Sequence, residues 1–180
     1  MKKLFFLFCC IIALHANAQI TYPDSQKDGK YITVNGAKLW VVTVGKGDPI
    51  IFISGGPGGA HVGLRRFDSL ASNYMLIYFD AFGRGKSDTA KDVKEYTIER
   101  DVEDMEGLRN ALHLDKINLL GHSYGGVVAQ GYAVKYPQHV KHLIIANGFF
   151  SRAICLLIFE RKRLPGANGG RQTNARRSHR

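Results

Sequence analysis

Cysteine is scarce: of three in the 180-residue chain, Cys9 and Cys10 fall in the first ten residues and Cys155 in the last thirty. With none between, neither a disulfide framework nor a cysteine-ligated zinc site can be built there. Long apolar runs are missing too. The longest, Leu4–Leu14, has eleven residues, well short of the roughly 20 that a membrane-spanning helix needs. Neither Gly-x-Gly-x-x-Gly nor Gly-x-x-x-x-Gly-Lys-Ser/Thr occurs, so dinucleotide and P-loop phosphate sites have no basis. Finally, residues 19–150 carry no excess of one charge, with 15 Lys/Arg against 14 Asp/Glu. The formal +10 comes from Lys2, Lys3 and residues 151–180, where eight Lys/Arg face Glu160 alone. A whole-protein electrostatic case for a nucleic-acid partner therefore fails.

The two ends differ from the middle. Met1-Lys2-Lys3, the apolar run and Ala16-Asn17-Ala18 before Gln19 read as the charged, apolar and cleavage regions of a secretory signal peptide over residues 1–18. That reading implies export, to the periplasm or beyond the cell, with no stable membrane anchor. After Phe150, Arg161-Lys162-Arg163 and the Arg-rich end show no periodicity and little that could enter a core. Residues 151–180 read as a basic, irregular tail, either non-native or disordered, rather than as a nucleic-acid or lipid arm.

Between them, residues 19–150 alternate strand-like and helix-like patterns, the rhythm of an α/β sheet. Tyr31–Val34 and Ala37–Val44 flank Asn35-Gly36, which suits a tight hairpin turn. Ile50–Ser54, Met75–Phe79 and Ile117–Leu120 are short, continuous apolar runs, as strands buried on both faces must be, and Val140–Ala146 closes the series. Thr97 caps a helix whose apolar residues, Ile98 to Leu112, recur at spacings of three and four, with Glu99, Asp101, Glu103, Asp104 and Glu106 expected to face solvent. A second helix runs from about Gly125 to Tyr136 and stops at Pro137.

Three segments carry chemistry. Gly121-His122-Ser123-Tyr124-Gly125 fits Gly-x-Ser-x-Gly between a buried strand and a helix, which presents Ser123 as a nucleophile on a sharp turn and the Tyr124 amide as an oxyanion donor. Ser54-Gly55-Gly56-Pro57-Gly58-Gly59 follows a strand, and its glycines let the backbone approach a substrate, with the Gly56 amide as second donor. Asp80-Ala81-Phe82-Gly83-Arg84-Gly85-Lys86-Ser87 follows the next; Asp80 and Arg84 are expected to pair with each other and fix that loop. His61 reads as a loop residue, His122 as pointing away from Ser123, and His179 as a bystander.

Gly-Gly-Pro-Gly, Asp-x-x-Gly-x-Gly-x-Ser and Gly-His-Ser-Tyr-Gly-Gly, in this order after three strands over about residues 30–150, resemble the proline iminopeptidase-like branch of the α/β hydrolases. The resemblance implies a mostly parallel sheet flanked by helices, of which this chain holds the N-terminal portion, and a cofactor-free serine hydrolase without a metal. It also implies a triad in the order Ser, acid, His, with Gly56 and Tyr124 as the oxyanion donors and a short peptide or other small molecule as substrate. Release of an N-terminal residue, often proline, is the expected reaction, with esterase or lipase-like hydrolysis and an inactive fragment as alternatives. The sequence departs from the pattern at Ser54, where the branch has His, and at Ala81, where it has Gln. Only about 30 residues follow Val140–Ala146, too few for a cap domain and two more strand-helix units, so the triad acid and His are expected to be missing.

Overall fold

The computed structural model describes residues 28–148. The signal segment, Cys155, His179 and the basic tail lie outside them.

A six-stranded sheet forms the frame, in the order β1-β2-β4-β3-β5-β6. β1 (Lys30–Val34) and β2 (Ala37–Val44) make an antiparallel hairpin, and β2 pairs antiparallel with β4 (Tyr74–Phe79). β3 (Asp48–Ile53) lies parallel between β4 and β5 (Ile117–His122), and β6 (Val140–Ala146) adds parallel to β5. The hairpin turn uses Asn35 at φ 48° and Gly36 at φ 80°, the two positive angles a two-residue loop needs to match strand twist.

The continuous apolar runs are explained by burial on both faces. Leu39, Val41, Ile51, Ile53, Ile77, Phe79 and Leu119 point to one side, beneath α1 (Ile98–Ala111) and α2 (Tyr124–Lys135). Their neighbours Trp40, Val42, Ile50, Phe52, Leu76, Tyr78 and Leu120 point to the other, where Leu64 and Phe67 cover them. Those two residues belong to a 3₁₀ segment, His61–Ser72, that has no counterpart in the sequence expectations. β6 is the half-exposed edge strand, with Ile144 48% exposed.

Thr97 caps α1 by accepting a hydrogen bond from the Arg100 amide at 3.0 Å, a contribution of about 1 kcal/mol. The expected solvated acidic face of α1 is corrected. Asp101 and Asp104 are 4% and 0% exposed, because they share the inward helix face with Met105 and Leu108 at spacings of three and four. Asp104 pairs with Arg100 at 2.8 Å and accepts from Asn35 of the hairpin turn at 2.8 Å. Asp101 points to the sheet's C-terminal edge, where the three glycine-bearing loops meet.

Candidate active site

Ser123 alone makes the turn from β5 into α2, at φ 52° and ψ −118°. A non-glycine residue with positive φ is strained and persists only where its surroundings over-determine it. Here Ser123 donates its amide to the Ala146 carbonyl at 3.0 Å, and Gly126 donates to the Ser123 carbonyl at 2.9 Å. The flanking glycines are sterically required: a methyl on Gly121 would lie 2.3 Å from the Gly125 oxygen, and one on Gly125 2.2 Å from the Ile53 oxygen. Although Ser123 occupies the N-cap position of α2, its hydroxyl makes no capping bond. The α2 dipole favours negative charge at this end.

The glycine loop after β3 packs on this turn. A methyl on Gly55 would lie 2.6 Å from His122 Nδ1 and 2.9 Å from Ser123 Cβ. The His122 ring therefore lies against the glycine loop. Gly56 is exposed at φ 58° with open space around it. Gly59 donates its amide to the Gly56 carbonyl at 3.1 Å, and Ser54 Oγ donates to the Ala60 carbonyl at 3.1 Å, closing the loop.

Asp80 and Arg84 do not pair with each other, which corrects the sequence expectation. Asp80, 1% exposed, accepts from the His61 amide and binds His61 Nδ1, both at 2.8 Å, and accepts from the Lys86 amide at 2.9 Å. Burial pushes its carboxyl up, but these bonds outweigh it and hold Asp80 below the usual range. His61 is thus a buried anchor at the end of the glycine loop rather than a plain loop residue, and its Nε2 is buried without a partner among the described residues. Arg84 reaches across to α1. It donates from Nη2 to Asp101 Oδ2 at 3.0 Å and from Nη1 to Asp101 Oδ1, and its Nε donates to the Pro57 carbonyl.

Asp101 is the site residue that the sequence reading missed. Its one sequence signal was spacing: Asp101 lies three residues after Ile98 and four before Met105, in line with the apolar stripe of the helix. Asp101 Oδ2 also accepts from the Tyr124 hydroxyl at 2.8 Å. Burial first, and then the Asp101 charge and hydrogen bond, raise the Tyr124 pKa, so the phenol remains a donor. Two histidine–carboxylate pairs lie among the described residues, His61–Asp80 and His139–Glu106; neither includes Ser123. No helix there is long and apolar enough to cross a membrane, and no group of His, Cys, Asp and Glu there could hold a metal.

Comparison with known proteins agrees with this architecture. The chain is 45% identical over 105 residues to a proline iminopeptidase from Saccharolobus solfataricus, an alignment covering 57% of this chain and 34% of that enzyme. The chain thus spans about a third of the length of that curated relative. Among solved structures, a proline iminopeptidase-related protein from Thermus thermophilus superposes with a TM-score of 0.64 at 31% identity, over 68% of this chain and 45% of that one. An epoxide hydrolase from Vigna radiata gives a TM-score of 0.65 at 25% identity, over 71% and 43%. The family model described as the alpha/beta hydrolase fold matches residues 48–177. That match takes in more than half of the sequence, and the chain belongs to the α/β-hydrolase fold family.

Proposed function

We propose that the chain carries the nucleophile and oxyanion pocket of a serine hydrolase, with Ser123 attacking a carbonyl and the amides of Gly56 and Tyr124 receiving the oxyanion. The observation that carries this reading is the strained Ser123 turn at the head of α2 with the glycine loop packed against it. Strained non-glycine residues of this kind cluster at functional sites. Attack forms the Oγ–carbon bond as the hydroxyl proton passes to water, since neither described histidine–carboxylate pair includes Ser123, and the carbonyl π pair moves onto oxygen. Each donor aimed at that oxygen contributes about 2.7–4 kcal/mol to transition-state stabilisation.

The test is labelling of the 180-residue chain with a fluorophosphonate and peptide mass spectrometry, beside Ser123→Ala. The proposal expects one adduct, on the peptide containing Ser123, and none in the variant; label distributed over other serines refutes it.

For substrate, the proline iminopeptidase relatives support release of an N-terminal residue from a short peptide without a cofactor. Ser54 and Ala81 stand where the resemblance has His and Gln, which weakens the peptidase reading, and the same Ser123 turn would serve simple esters as the second reading. Faster turnover of a proline arylamide than of a short-chain ester, both lost in Ser123→Ala, supports the first; the reverse order supports the second. The sequence of residues 1–18 supports export with cleavage after Ala18. The N-terminal peptide of the secreted product should then begin at Gln19, and one beginning at Met1 would contradict it.

A further inference from the structure

We infer that Arg84 and Asp101 are positioning residues that hold the two proposed oxyanion donors, Gly56 and Tyr124, at a fixed separation. The inference rests on the reading of Ser123 given above. Its basis is a single buried ion pair that reaches both halves of the pocket. Arg84 Nε donates to the carbonyl of Pro57, the residue directly after Gly56, while both Nη atoms grip Asp101. Asp101 Oδ2 in turn accepts from the hydroxyl of Tyr124, the residue directly after Ser123. The guanidinium carbon also lies 5.8 Å from the centroid of the Tyr124 ring.

Gly56 needs such an external tie. It is exposed at positive φ with open space where a side chain would lie, and the Gly59 amide holds its carbonyl, so the orientation of its own amide depends on what holds the adjoining Pro57. A planar fork bonded bidentately to a carboxylate is a stiff connector, whereas lysine could make only a point contact. Stability alone does not account for it, since a buried ion pair replaced by well-packed apolar side chains is often neutral or stabilising. Arg84 and Tyr124 also line a larger cavity of about 400 Å³ beside Pro57 and Tyr96, but the space inside the cluster is small. The cavity lined by Ser54, Gly56, Arg84, Asp101 and Tyr124 measures about 20 Å³, little more than one water molecule occupies.

The experiment measures fluorophosphonate labelling rates of the full chain and of Asp101→Asn, with ¹⁵N-glycine and ¹⁵N-tyrosine spectra before and after labelling. In labelling, the Ser123 Oγ–P bond forms, the P–F bond breaks, fluoride leaves with the electron pair and the proton passes to water. The wild-type adduct should move the Gly56 and Tyr124 amide protons downfield. Asp101→Asn should label at least about tenfold more slowly, as expected when a donor is displaced by a fraction of an ångström. It should also lose those two shifts while the other glycine signals keep theirs, which a general loss of stability would not produce. Equal rates and equal shifts in the two proteins overturn the positioning role and leave the nucleophile reading intact. A folded wild type that takes no label at Ser123 overturns that reading and the inference with it. If Asp101→Asn does not fold, Tyr124→Phe removes the hydroxyl that ties Tyr124 to the Arg84–Asp101 pair and leaves the backbone amide in place; slower labelling supports the inference and an unchanged rate overturns it.

Discussion

Ser123, Gly121 and Gly125 show how far single residues determine this site. The turn brings backbone atoms so close that side-chain volume decides between folding and collision. Gly125→Ala would place a methyl 2.2 Å from the Ile53 carbonyl oxygen, which is strand backbone and cannot yield cheaply. We expect a cost of about 1–3 kcal/mol from overpacking, read as a lowered midpoint in thermal denaturation. Gly58→Ala is the control. That glycine has open space and needs no positive φ, so its stability should stay within about 0.5 kcal/mol of wild type, with little change in midpoint. Equal midpoints for the two variants would show that the turn is looser than described. The motif that makes these glycines necessary was readable in the sequence, because the steric demand is local. Asp101 was not read correctly, because which face of a helix is inward depends on what packs above it.

At the scale of elements, α1 and α2 are joined by polar contacts as well as apolar ones. Glu106 of α1 binds Arg109 at 2.8–2.9 Å, accepts from the Tyr132 hydroxyl of α2 at 2.7 Å and lies 3.3 Å from His139. Burial pushes its carboxyl up, but Arg109 and Tyr132 outweigh that and hold it at about 2, against an ordinary 4.5. A carboxyl held low contributes stability above its ordinary pKa and loses it as pH falls toward the folded value. Wild type should therefore lose stability between about pH 4.5 and 2 through this group, and Glu106→Gln should show a shallower acid limb in thermal melts across that range. Identical slopes would refute the assignment. Asp104, pushed up by burial, acts in the opposite sense and is unchanged in both proteins. The strands and both helices were legible because each announces itself in local pattern: a continuous apolar run, a Thr97 cap, a stop at Pro137. The 3₁₀ segment His61–Ser72 was not, although Leu64, Phe67 and Leu70 recur every third residue, because it has no capping side chain and follows a glycine-rich loop that reads as irregular. The partners of Asp80 and Arg84 were also out of reach, as they come from elements 19 and 17 residues away.

For the whole molecule, the sheet order brings the ends of β3, β4 and β5 side by side, so three glycine-bearing loops meet at one edge. That convergence places Ser123, the glycine loop and the Arg84–Asp101 pair together, and the proposed chemistry depends on it. The most direct test of the central claim is a crystal structure of the chain after reaction with a fluorophosphonate. The account predicts phosphorus bonded to Ser123 Oγ and a phosphonyl oxygen about 2.7–3.1 Å from the amide nitrogens of both Gly56 and Tyr124. Phosphorus on another residue, or the Gly56 and Tyr124 amides directed to opposite sides of the sheet, would contradict it.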